Sequence, residues 1–126
     1  MNCLLDTHVL IWWLDDSAEL SSSVRNIISN PENNMVVSHV SYWEIAIKVS
    51  IERLIFPLNT LDTELQNNGF ELLAINTAHI IQSTSLPMHH RDPFDRMLIA
   101  QAKIDNLSLI TKDHQIQKYD LSWFWS

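Results

Sequence analysis

Short runs that stay apolar from end to end recur along this chain, and each is followed by a stretch with helical spacing. The runs are "NCLLD" (2–6), "MVVSH" (35–39), "FELLAI" (70–75), "LSLITKD" (107–113) and "LSWFW" (121–125). They do not keep the strict polar–apolar alternation of a strand with one wet face, so they read as strands buried on both sides. Helices are expected from Thr7 through Leu14 and from Ser22 to Ser29, with a break at Asn30–Pro31. Others are expected over 41–54, over 61–69 with Gly69 as the stop, from Asn76 or Thr77, from Asp92 onward, and briefly at 114–117. In the 41–54 segment Tyr42, Ile45, Ala46 and Val49, extended by Arg53, mark one face. Strands alternating with helices predict an α/β fold in three layers, α/β/α, around a central, mostly parallel sheet of about five strands. The 126 residues fit one domain spanning 1–126.

Composition narrows the chemistry. With one glycine, Gly69, the chain has neither a P-loop nor a GxGxxG turn. With one cysteine, Cys3, it has no internal disulfide, which fits a reducing, cytoplasmic setting. No run reaches the ~18 apolar residues of a membrane span. The N-terminal apolar stretch lacks the basic flank and cleavage site of a signal peptide, and Asp6 interrupts it. The formal net charge of −7 is not that of a protein gripping nucleic acid by phosphate neutralisation alone. A polyanionic substrate needs positive charge from elsewhere: a divalent ion, a local basic strip or a basic partner.

The acids have a pattern. Asp6 and Asp113 end the first and fourth strands, while Glu44 and Asp95 lie in the first turns of the helices after the second strand and after "HHRD". In a parallel α/β sheet, strand C-termini and helix N-termini share one edge, so all four carboxylates are expected at one crevice. Like charges crowded together repel, and burying them unpaired is costly. A divalent ion resolves the conflict, and an all-oxygen set suits Mg2+ or Mn2+ better than zinc. The chemistry this points to is phosphodiester hydrolysis by water, with no protein nucleophile. Each acid also has a plainer reading as a helix cap: Asp92 at the N-cap with Pro93 and Asp95 behind it, Ser41-x-x-Glu44 as a capping box, and Asp6 and Asp113 before their own helices.

Taken together, "LLDTHVLIW", "SHVSYWEIAIK", "HHRDPFDRMLIAQA" and "LITKD" resemble the PIN domain, and most closely the VapC-type toxins of toxin–antitoxin pairs. The resemblance runs from Leu4 to about Asp113 and into the final strand. It implies a PIN-like fold and a Mg2+- or Mn2+-dependent endoribonuclease. The family's acids fall on Asp6, Glu44, Asp95 and Asp113, and its Asp-x-x-x-x-Ala-x-Ala pattern on Asp95, Ala100 and Ala102. Thr7 is expected to orient Asp6 or the attacking water, with Thr111 a second candidate and Asp92 a capping support. The resemblance also implies an RNA substrate, a cognate antitoxin and a homodimer.

Other residues carry two readings. Arg91 and Arg96 are candidates for RNA phosphate contacts, or else a solvated salt-bridge pair. Lys48, Lys103 and Lys112 are candidates for a sparse basic rim. His89 and His90 stand in a polar loop without a third ligand at zinc spacing. Trp12, Trp13 and Trp43 either stack on bases or build core. Two other functions compete: a non-catalytic PIN-like binding module, and a small aspartate-based phosphatase or phospho-acceptor. The latter lacks a second acid two residues after Asp6, and only Lys112 beside Thr111 speaks for it.

Overall fold

A computed structural model describes every residue, Met1–Ser126. Strands β1 (Asn2–Leu5), β2 (Asn34–Ser38), β3 (Glu71–Leu73), β4 (Ser108–Ile110) and β5 (Trp123–Phe124) form one sheet in the order β3-β2-β1-β4-β5. Every pairing is parallel. The helices are α1 (Thr7–Leu14), α2 (Ser22–Ser29), α3 (His39–Ser50), α4 (Leu61–Asn67), α5 (Thr77–Ser85), α6 (Pro93–Ile104) and α7 (His114–Gln117).

Successive strand residues face opposite sides of a sheet, and here both sides are covered. Cys3, Leu5, Met35, Val37 and Ile110 face one way and pack with Val9 and Leu10 of α1, Val24 and Ile28 of α2, Ile45 of α3, and Leu61 and Leu65 of α4. Leu4, Val36 and Leu109 face the other way, against Leu98, Ile99 and Ala102 of α6 and Ile116 of α7. The apolar runs have no polar phase because neither face of the central strands meets water. No helix is long and apolar enough to cross a membrane.

Three local expectations change. Four of the five strands are shorter than their apolar runs, β2 is shifted back by one residue, and β3 lies at the sheet edge with Glu71 and Leu72 exposed. An edge strand with one partner carries fewer burial demands than its apolar sequence suggests. Helix α3 begins at His39, because the Ser38 hydroxyl accepts a hydrogen bond from the Val40 amide at 2.9 Å. Ser41 therefore lies inside the helix, and Ser41-x-x-Glu44 is not a capping box. Helix α3 also ends at Ser50, leaving Arg53 outside it, and its fully buried face is Val40, Ser41, Glu44 and Ile45. Tyr42 and Val49 pack partly on the core.

The strand order places the crevice. From β1 the chain steps to β2 and β3 on one side, then returns to lay β4 and β5 on the other. The sheet thus switches winding direction between β1 and β4, where the loops leaving two adjacent strands diverge and open a cleft. Leu5 pairs with Ile110 there, so the residues that follow each strand emerge side by side.

Candidate active site

Asp6 follows Leu5 and occupies the N-cap position of α1, yet its side chain makes no capping hydrogen bond. Its backbone amide donates to the Ile110 carbonyl at 3.1 Å, continuing the β1–β4 ladder one residue past the strand. This register brings Thr111 alongside, and its hydroxyl donates to Asp6 Oδ2 at 2.8 Å. Asp6 Oδ1 is buried with no hydrogen-bond partner. Burial pushes the Asp6 carboxyl up to about 6, with Asp113 and Glu44 adding to the rise and the Thr111 hydroxyl and His8 opposing it.

Glu44, 7% exposed, reaches the same crevice from α3. Its Oε2 accepts from Lys48 Nζ at 2.9 Å, one turn along the helix, while Oε1 is buried and unpartnered. Asp95 stands in the first turn of α6. Burial raises its carboxyl to about 8, and the charges of Asp6, Asp92, Asp113 and Glu44 all push the same way. Asp113 is the N-cap of α7, with Oδ1 accepting from the Gln115 amide at 2.8 Å. The structure thus brings the four expected acids into one mutual field. No three His, Cys, Asp or Glu side chains are drawn together at metal-ligand spacing in this arrangement. The acids act on one another through space rather than through a preformed cage.

The helix-cap readings now separate. Asp92 caps α6, accepting from the Phe94 and Asp95 amides at 2.9 and 3.1 Å. Asp113 both caps and faces the crevice. Asp6, Glu44 and Asp95 do no capping. Thr7 differs from expectation: its hydroxyl donates to Ser41 Oγ at 2.8 Å and pins the start of α1 to α3. Thr111, not Thr7, holds Asp6. The Thr111 hydroxyl also accepts from the Asp113 amide at 3.1 Å, so it joins the two strand-end acids.

Arg96 also departs from its expected place. It is 8% exposed, and its guanidinium donates to the carbonyls of Ser83, Leu86, Pro87 and His90 and to the Tyr119 hydroxyl. A guanidinium spent on backbone carbonyls is a strut beneath the loop before α6 and does not meet a substrate phosphate. Arg91 is exposed and lines a separate cavity with Ser83, Thr84 and Met88. Neither arginine forms an ion pair with Asp92 or Asp95, so the salt-bridge reading is not realised. Lys48 is committed to Glu44.

His90 is the neighbour the sequence did not reveal. Its Nε2 lies 3.2 Å from Asp95 Oδ2 and its Nδ1 2.8 Å from the Tyr119 hydroxyl, which in turn accepts from Arg96 at 3.1 Å. The line Arg96–Tyr119–His90–Asp95 braces the Asp95 carboxyl from behind. The "HH" before the helix was a visible signal, but the tyrosine that orients the ring lies 29 positions on and contacts it only in the fold.

The donor chemistry fits a hard divalent cation. Two carboxylate oxygens, on Asp6 and Glu44, are buried without partners, and two carboxyls are raised by burial and crowding. An ion with oxygen preference satisfies both conditions, and Asp6, Glu44, Asp95 and Asp113 are the side chains able to hold it.

Fold and crevice together define a three-layer α/β protein with an acidic site at the switch point of a parallel sheet. The chain belongs to the PIN domain family, whose model matches residues 3–121. It is similar to ribonuclease VapC22 of Mycobacterium tuberculosis, with 25% identity over 119 residues, covering 92% of this chain and 90% of that protein. Its fold matches the crystal structure of VapBC2 from Rickettsia felis bound to a DNA fragment from their promoter, with a TM-score of 0.74, 16% identity and full coverage of both chains. It also matches a toxin–antitoxin complex from Klebsiella pneumoniae, with a TM-score of 0.69, 18% identity, and 98% and 96% of the two chains covered.

Proposed function

We propose that this chain is a divalent-metal-dependent endoribonuclease, the toxin of a toxin–antitoxin pair. The observation that carries the reading is the set of four carboxylates at the β1–β4 switch point, in which the charges of Asp113 and Glu44 act on both Asp6 and Asp95, and Asp6 and Glu44 each keep a buried oxygen without a partner. Membership of the PIN domain family and the near end-to-end match to a ribonuclease support it.

Asp6, Glu44, Asp95 and Asp113 hold Mg2+ or Mn2+. When bound, the ion supplies Lewis-acid polarisation of the phosphodiester and neutralises charge that builds during hydrolysis. The chain's own groups have distinct tasks. Thr111 holds Asp6 through Oδ2 and leaves Oδ1 unpaired. Lys48 holds Glu44 through one oxygen and leaves the other unpaired. His90 fixes the orientation of Asp95. Thr7 and Ser41 lock α1 to α3, and with them the two helices whose first turns flank the crevice. Arg91, exposed in a neighbouring cavity, offers a phosphate contact to a longer RNA, whereas Arg96 supports from beneath.

The chain acts on RNA in the cytoplasm, works as a homodimer and is restrained by a cognate antitoxin. The structural relatives are toxin–antitoxin complexes, which supports the last of these. The phospho-acceptor reading lacks a second acid two residues after Asp6, where His8 stands.

The test is cleavage of total cellular RNA by partner-free protein with Mg2+ or Mn2+, beside Asp6→Asn and Asp95→Asn. Cleavage that stops with EDTA and in both variants is the expected result. Cleavage that survives both substitutions sinks the reading.

A further inference from the structure

We propose that the cleft beside Asp6 and Asp113 is a nucleotide-stacking subsite, in which an unpaired RNA base lies on Trp12 while Lys112 takes a neighbouring phosphate. The proposal rests on the reading of the chain as a ribonuclease and names how it seats its substrate.

Three tryptophans were candidates for stacking, and the structure separates them. Trp13 Nε1 donates to Asn68 Oδ1 at 2.9 Å and its ring tilts against Phe70, so it is a packing residue. Trp43 packs edge-on against Phe94 in an apolar groove with Val40 and Met97. Trp12 shares a cavity with the carboxylates. That cavity, about 430 Å³, is lined by Asp6, Asp113, Trp12, Lys112, Glu19 and two histidines, His8 and His114. This volume falls within the ~300–1,000 Å³ of small-ligand sites.

The fold adds a second indole from the far end of the chain. Trp125 meets Trp12 edge-on at 6.0 Å between ring centres. Lys112 Nζ lies 5.9 Å from both ring centres. Lysine and indoles thus form one cluster whose cation is also paired with Glu19. That pair is half exposed on both sides, and such pairs contribute little.

The arrangement has the two components that single-stranded nucleic acid requires, an aromatic platform and a cation within reach of the backbone. Lys112 is the one lysine or arginine lining the cavity that contains Asp6 and Asp113. A phosphate displaces Glu19 from Lys112, the ammonium swings off the indoles, and the ring face is freed for a base. In a chain of net charge −7, a polyanion reaches the carboxylates most readily where such a cation waits. The position of the platform, in the same cavity as Asp6, sets the stacked base next to the bond that is cut.

The test compares wild type with Trp12→Leu, Trp12→Phe and Lys112→Gln. Affinity for a short fluorescein-labelled single-stranded oligoadenylate is read by anisotropy with Ca2+ as the ion. Mn2+ binding and RNA cleavage are measured in parallel. Trp12→Leu is expected to weaken oligoadenylate binding about tenfold or more, with Trp12→Phe recovering most of it. Lys112→Gln is expected to flatten the dependence of log affinity on log salt by about one. Mn2+ binding stays unchanged in all three, which a general loss of folding does not allow. If Trp12→Leu does not fold, an unchanged salt slope in Lys112→Gln overturns the subsite. Wild type that cuts RNA while Trp12→Leu and Lys112→Gln bind and cut equally well overturns the subsite alone, and leaves the cleft to a peptide. Wild type that binds Mn2+ but cuts no RNA overturns the nuclease reading and the subsite with it.

Discussion

Burial and four neighbouring acids push the Asp95 carboxyl up to about 8, and burial chiefly pushes Asp6 to about 6. A carboxyl raised above its unfolded value of 3.8 contributes stability that is complete below that value and is lost as pH climbs through the folded value. The ion-free protein should therefore lose stability between pH ~4 and ~8, on the order of a few kcal/mol. Asp95→Asn removes the charge that causes the loss. Denaturant unfolding without divalent ions should find this variant more stable than wild type at pH 8 and little different at pH 4. Wild-type stability that rises over the same window would contradict the assignment. Thr111 is the other telling residue. Thr111→Val deletes the hydroxyl that holds Asp6 and should weaken Mn2+ binding by roughly 10–100-fold, the usual effect of removing a partner behind a ligand. Calorimetric titration reads this directly.

At the scale of the element, α6 shows what local sequence can and cannot tell. Its start was legible: Asp92, Pro93 and Asp95 are the signature of a capped N-terminus, and the Asp92 side chain makes both capping bonds. Asp92→Ala should cost about 1 kcal/mol by thermal or denaturant unfolding while leaving Mn2+ binding in place. The next residue but three, Arg96, was not legible. A basic residue in a helix's first turns looks solvated, and nothing local says that four carbonyls and a tyrosine await it. Arg96→Met strands those buried acceptors and should destabilise by about 3 kcal/mol or more, far beyond an exposed arginine. Helix α3 teaches the same lesson in reverse. Ser41 and Glu44 have capping-box spacing, but Ser38 takes the cap and turns both inward, Ser41 to Thr7 and Glu44 to the crevice.

At the scale of the whole molecule, the parallel sheet is the device that makes the site. Strand runs without polar phase implied burial on both faces, and that in turn implied a crevice at the strand C-termini, so the convergence of Asp6, Glu44, Asp95 and Asp113 followed from residue order alone. The supporting groups did not follow. Thr111 meets Asp6 from 105 positions away, and Trp125 joins Trp12 across nearly the whole chain. Such pairings depend on strand order and on where a C-terminal edge strand lands, which periodicity does not encode. The central claim, that these acids form a divalent-ion site, is tested most directly by titrating Mn2+ into partner-free protein at pH 7 in buffers of different ionisation enthalpy. Asp95 is then largely protonated and must ionise to bind, so Mn2+ should bind with release of about one proton, and the release should vanish by pH ~9. Absence of Mn2+ binding would contradict it, and binding that releases no proton at pH 7 would contradict the raised Asp95 carboxyl.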